Sequence, residues 1–325
     1  MLRRNFLAAS AALPIAASAP PRLVGHSDVD RLRVSLDTLT ALDDHRGGHG
    51  SLESASLAGA EQALHLQRSA VGQSVRKRLY GLAAEYTATA AFSAIDSRSF
   101  GHAEQLLDRT LRLAGLAGDP VTTFRAFNLL AMIGYQRNNP ANSLAAAQAA
   151  QSTQATRRDP FLASLAHARS AIALSAAGDR QAAVRALGHA NDSLHRADDR
   201  PRPSWITFYG PAELAALSAV VHQQLGDNPE SERSSHHAIA GIPPQFRRNR
   251  SLATARLALA QLGQDDLDQA YKTASQVYTL MGTDPLPPRL RSLLGDFHRG
   301  LITLAPDAAV TREWTDRVRA QGEMQ

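Results

Sequence analysis

The chain contains no cysteine, which excludes disulfides, thiolate metal ligation and a cysteine nucleophile together. Aromatic residues make up only 5% of it, and no segment alternates apolar and polar residues with period two between turn signals, so a sandwich or barrel is excluded. Lysine is almost missing: of 35 basic residues only Lys77 and Lys272 are not arginine, a skew of the kind that GC-rich coding produces. The net charge of +5 is spread over 325 residues, and no block of like charge is long enough to act as a nucleic-acid arm. No apolar run reaches the roughly 20 residues that span a bilayer, so no membrane span is expected. There is no Gly-x-Ser-x-Gly elbow, no Walker loop and no His-Glu-x-x-His. The sequence therefore predicts no catalytic constellation, no cofactor and no enzyme.

What fills the chain is alanine, 59 residues, and leucine, 42 residues, the composition of packed helices. Residues 28–44 place Val29, Leu32, Leu36 and Leu39 at helical spacing, with Ser27 or Asp28 as N-cap and Gly47-Gly48 as a stop. Residues 52–68 predict a second helix ending at Val71-Gly72. The two make an N-terminal helical pair over 22–71. Ahead of it, Arg3-Arg4-Asn5-Phe6-Leu7 followed by the mildly apolar stretch from Ala8 to Ala19 reads either as a twin-arginine export signal or as a solvated linker, over 1–21.

From residue 72 the chain is periodic. One turn phrase recurs between Ala/Leu-rich helices: Ile95 to Phe100, Gln136 to Pro140, Ala177 to Arg180, Leu225 to Pro229 and Leu262 to Asp266. Aligning the small residue just inside each second helix gives Ala103, Ser143, Ala183, Ser231 and Ala270, at spacings of 40, 40, 48 and 39 residues. The long interval carries the insertion Arg200 to Pro211. Tetratricopeptide units repeat at about 34 residues and need small residues where their helices cross. The expectation is an all-α, tetratricopeptide-like right-handed superhelix of antiparallel helix pairs over 72–304, closed by a C-terminal capping helix over 305–325.

Four segments together carry a family resemblance: Asp28-Val29-Asp30-Arg31-Leu32; Leu42 to Gly48; Trp205 to Tyr209 with Glu213-Leu214-Ala215; and Arg312 to Arg319. In this order and spacing they resemble the C-terminal sensor region of actinobacterial, XRE-type helix-turn-helix transcriptional regulators with tetratricopeptide-like repeats. In that family a segment like Arg3 to Leu7 lies between the DNA-binding domain and the repeats. The resemblance implies a sensor or protein-interaction module inside the cell. The chain begins at that segment, so direct sequence-specific DNA binding is not expected of it. The alternative is a helical scaffold exported by the twin-arginine route.

In a stacked array of helix pairs the first helix of each pair lines the concave face, where extended partners bind. Projecting the register places Glu85 and Phe92 there from the first repeat, and Arg125, Asn128, Tyr135 and Gln136 from the second. Asn128 interrupts the apolar run from Phe127 to Ile133, and its buried amide must find partners or cost about 1 to 3 kcal/mol. A ligand backbone or a neighbouring helix carbonyl would each serve. Arg169, Glu213 and Arg256 are further candidates, and Trp205, Phe208 and Tyr209 of the insertion either cap the groove or pack in the core. The expected occupant is a protein or peptide partner or a small effector; a homodimer is compatible with the sequence. His45 with His49, and His222 with His236 and His237, are the nearest approaches to metal ligands. His236 and His237 face different sides of one helix, and no metal site is predicted. Arg76-Lys77-Arg78 and Arg247-Arg248-Asn249-Arg250 read as solvated clusters at helix starts.

Overall fold

A computed structural model of the chain describes residues 24–46, 50–70, 72–282 and 284–322. The twin-arginine-like segment, the Gly47-Gly48 stop and the side chains of His45 and His49 lie outside the described residues. Among the described residues the protein is all-α, without a strand, and one isolated bridge joins Val24 to Ala70. The helices are α1 (His26–Arg46), α2 (Gly50–Arg68), α3 (Gln73–Asp96), α4 (Phe100–Ala117), α5 (Pro120–Gln136), α6 (Pro140–Ser152), α7 (Gln154–Arg158), α8 (Pro160–Ala176), α9 (Arg180–His195), α10 (Pro211–Gln224), α11 (Asn228–Gly241), α12 (Arg247–Leu262), α13 (Leu267–Met281), α14 (Pro288–Leu304) and α15 (Ala309–Gly322). A short 3-10 turn, Ser204–Ile206, sits in the insertion between α9 and α10. No helix among the described residues is long and apolar enough to cross a membrane.

Five helix pairs, α3/α4, α5/α6, α8/α9, α10/α11 and α12/α13, are joined by the same turn. Each passes through one residue in the left-handed region: Arg98, Asn138, Gly178, Gly226 and Asp265, with φ between 54° and 81°. These positions fall 40, 40, 48 and 39 residues apart, the spacings expected from the small residues. Glycine meets the positive φ without a Cβ clash, and Asn and Asp tolerate it better than most residues. The next residue, Ser99, Asn139, Asp179, Asp227 or Asp266, donates its N–H to the carbonyl five residues back at 2.8 to 3.1 Å, closing the helix end. In four of the five that same residue then caps the following helix, its side-chain oxygen accepting the N–H three residues on. Two residues thus stop one helix and start the next.

The crossings follow the predicted small positions. Ala103, Ser143, Ala183, Ser231 and Ala270 are all fully buried. Ser143 Oγ donates to the Ala131 carbonyl and Ser231 Oγ to the Ala219 carbonyl, both at 2.9 Å, the same bond in two repeats. Opposite Ser143 stands Gly134, where an added Cβ would lie 2.5 Å from the Ser143 nitrogen. The first helices of the pairs then pack side by side in the order α3, α5, α8, α10, α12, and α14 extends the row.

The ends are built differently. At the N-terminus α2 packs along α3, with Gly59 against the Tyr86 ring, while α1 lies across both. Tyr86 Oη donates to the Leu32 carbonyl at 2.7 Å, Arg33 forks onto Glu85, and α1 reaches as far as α12 and the 3-10 turn. At the C-terminus Trp314 of α15 is fully buried against Tyr271, Tyr278 and Phe297.

Candidate ligand-binding cavity

The inner faces of the first helices enclose a cavity partly open to solvent. Its walls follow from helical geometry. Residues at i, i+3, i+4 and i+7 share one face, and Arg125, Asn128, Leu129 and Met132 of α5, then Glu213, Ala216, Leu217 and Val220 of α10, then Asn249, Leu252, Ala253 and Arg256 of α12 supply three such stripes. One register position contributes from every repeat: Thr89, Leu129, Arg169, Leu217 and Arg256 all line the cavity, each nine residues before the left-handed turn residue of its pair. Thr40 of α1, Trp205 and Phe208 of the insertion, Phe92, Arg248 and Arg289 complete it. Its volume is about 100 Å³, on a scale where one water takes about 10–15 Å³.

Two long-range contacts draw the array shut around this space. Ser204 Oγ donates to Asp37 Oδ1 at 2.9 Å, pinning the insertion to α1. Arg248 at the start of α12 pairs with the buried Asp96 at the end of α3. The insertion is itself held by Arg202, which bonds Asp159 at 3.2 Å and covers the Phe161 ring at 4.0 Å. Trp205 packs near Phe124 and beneath the Arg125 guanidinium, 5.0 Å from its ring centre.

Seven of the sequence-predicted groove residues meet here: Phe92, Arg125, Asn128, Arg169, Trp205, Glu213 and Arg256. Asn128 satisfies its amide in neither of the ways expected. Its Oδ1 accepts from Arg169 Nε at 2.9 Å, so a cation of the next first helix is the partner. Arg125 donates to the Glu85 carbonyl at 3.3 Å and to Thr89 Oγ1 at 3.1 Å. The remaining four stand elsewhere. Glu85 turns to Arg33 in a neighbouring cleft that also holds Asp37, Asp119 and Arg202. Tyr209 is core: its hydroxyl sits 2.7 Å from Ser164 Oγ and its ring meets Phe161 edge-on. Burial pushes that hydroxyl's pKa well above the usual range for tyrosine. Tyr135 and Gln136 lie at the last turn of α5, outside the lining; Tyr135 is beside Arg256, and the buried Gln136 amide has no hydrogen-bond partner among the described residues.

The second basic cluster corrects its sequence reading. Rather than being solvated, Arg247 bonds the Leu280 and Met281 carbonyls, Arg250 bonds those of Ile239 and Ile242, and Arg248 is buried on Asp96. Asn249 donates to Glu213 Oε2 at 3.3 Å. The physical reason is that α12 starts where the array closes, so its first turn faces protein. Arg76, Lys77 and Arg78 of the other cluster are exposed. Sequence reasoning missed Arg248 and Arg289 as cavity residues; both stand in the first turn of their helices, where a register counted from the turns gave no signal.

The electrostatics are dominated by cations. Burial, and then the neighbouring Arg289, push the Arg169 guanidinium down to about 10. Arg289 is itself lowered, by burial first, with Asp96 opposing and Arg256 and Arg248 adding. Burial raises the Glu213 carboxyl, against the pull of Arg169 and Arg289. Burial raises the Tyr135 hydroxyl as well, but Arg256 and then Arg289 outweigh it and leave the group lowered. Among the described residues no group of three or more histidine and acidic side chains is placed to hold a metal ion. Comparison of the sequence with protein-family models and with curated proteins finds no match.

Proposed function

We propose that the protein is a non-catalytic sensor module that binds a small effector in the cavity at the centre of its helical array. The observation that carries this reading is the closure of the concave face. Thr40 of α1 and Trp205 of the insertion stand over it, and the Ser204–Asp37 and Arg248–Asp96 contacts hold them there. A peptide laid along several repeats needs a long open groove, whereas a cavity roofed by α1 and the insertion suits a small molecule. The tetratricopeptide-like register and the resemblance to regulator sensor regions support a regulatory role inside the cell, with the effector state passed to a protein partner. Sequence-specific DNA binding by these residues is not part of the reading.

The test is native mass spectrometry of the protein purified gently from its own host, compared with the same sample after denaturation. The expected result is a small-molecule mass that is carried by the folded chain and lost on unfolding. Recovery of an extended peptide or partner segment instead, with no small molecule, would return the site to a protein-interaction groove.

A further inference from the structure

Arginines outnumber carboxylates among the residues that line the cavity. Arg248 is paired with Asp96, and Glu213 is the one carboxylate in the lining. Glu213 therefore stands alone against Arg169, Arg256 and Arg289, an excess of two cations in the lining. Their hydrogen bonds are few. Among the described residues Arg169 uses only its Nε, on Asn128, and Arg256 reaches Gln223 Oε1 at 3.4 Å and the Tyr135 hydroxyl. Arg289 makes no hydrogen bond or ion pair with any described residue. Its strongest favourable neighbour is Asp96, already engaged by Arg248. The indole N–H of Trp205, a further lining residue, also lacks a partner among the described residues.

A folded chain gains nothing by holding like charges together in a partly dry space, and each guanidinium there depresses its neighbours' protonation. Burial is the larger cause of the depressed Arg169 and Arg289, neighbouring guanidiniums add to it, and the lowered Tyr135 reports the same positive surroundings. A bound anion removes it, and the planar guanidinium fork matches the two oxygens of a carboxylate or phosphate. Between the arginines the same helices present apolar side chains, Phe92, Leu129, Met132, Leu217, Val220 and Leu252. From this juxtaposition we infer that the effector is a small amphipathic anion, its carboxylate or phosphate group held by Arg169, Arg256 and Arg289 and its aromatic or short aliphatic body set against the apolar side chains of the lining. The inference rests on the cavity being the effector site.

The experiment uses the full chain and three matched probes, phenylacetate, phenyl phosphate and the neutral phenylacetamide, with inorganic phosphate as a fourth. Thermal melting and titration calorimetry at constant ionic strength are the readouts. At least one of the two aromatic anions should raise the melting temperature and bind at about millimolar strength or better, with phenylacetamide about tenfold weaker or silent. Which anion binds tighter tells carboxylate from phosphate, and inorganic phosphate weaker than phenyl phosphate confirms the apolar contribution. Arg289→Gln should leave the melting temperature of the empty protein unchanged or higher, because it removes a repelled charge, yet weaken the anion about tenfold. Arg78→Gln, on the exposed face of α3, should leave the anion response intact. Phenylacetamide binding as tightly as the anions would overturn the inference while leaving the cavity a ligand site. So would no response to any anion at about 10 mM, or a clear loss of stability in both Arg289→Gln and Arg256→Gln without ligand. The mass measurement on the host-purified protein decides separately whether the cavity carries a ligand at all, so the two failures are distinguishable.

Discussion

The same five repeats present two sets of equivalent positions that behave in opposite ways. At the helix crossings the residues are Ala103, Ser143, Ala183, Ser231 and Ala270, small every time. At the cavity the residues are Thr89, Leu129, Arg169, Leu217 and Arg256, different in size, polarity and charge from one repeat to the next. Sterics dictate the first set, because two backbones approach closely only over a small side chain. The second set is buried as well, but one side of each residue meets the cavity instead of another backbone, so its size is less tightly fixed. Within one chain, then, repetition marks where the fold is held, and variation marks where the repeats divide a task among themselves.

The sharpest way to break this comparison is at a helix crossing. Gly134→Ala puts a methyl against the Ser143 backbone, and Ala103→Leu overfills a fully buried site, so each should cost about 1 to 3 kcal/mol, with Gly134→Ala at the upper end. Denaturant unfolding checks both, and stability like that of the unaltered chain would displace the crossing from these positions. Exchange between repeats at the cavity should cost less. Leu129→Thr, which gives the second repeat the residue of the first, should fall below about 1.5 kcal/mol, because part of the lost volume merges with space already open. A cost equal to that of Ala103→Leu would mean the position is core after all. Asp179→Ala removes a helix cap that no other side chain replaces, and about 1 kcal/mol of stability should go with it.

A smaller effect is readable in pH. Glu213 keeps its proton to higher pH in the folded chain than its ordinary value of 4.5. From that value up through the raised one the folded state holds more protons than the unfolded state, so its contribution favours the folded state at low pH and is lost as pH rises through the window. Glu213→Gln should remove that downward part of the slope, and the difference between the two stability–pH curves isolates it from the histidines. At the bottom of the scale Ala320→Leu, on an exposed turn of α15, should change stability by no more than about 0.5 kcal/mol.

The turns and crossings were legible in the sequence because both obey short-range rules. Gly178, Gly226 and Asn138 announce a left-handed residue, Asp179 and Asp227 announce a cap, and the small residue that follows completes the phrase. Arg169, Glu213 and Arg256 could be placed because they keep the register of those phrases. Arg248 and Arg289 could not, since an arginine in the first turn of a helix has the same sequence appearance whether it meets water or a buried carboxylate. Tyr209 misled because an aromatic run in an insertion has two faces, and only packing decides that Trp205 and Phe208 meet the cavity while Tyr209 meets Ser164. The fold of α1 over the array left no local trace at all. It depends on contacts such as Asp37 with Ser204, 167 residues apart.

That last contact changes how the molecule should come apart. An open row of helix pairs, each touching only its neighbours, can fray from either end and lose its units one at a time. Here α1 is tied to the insertion and to α12, and α3 is tied to α12 through Asp96 and Arg248, so the first repeat and the fifth share contacts. Melting α1 strips partners from α12, and the reverse. The clasp thus couples the span from α1 to α12 into one cooperative unit, and the amide hydrogens of α1 should exchange as slowly as those of the central α8.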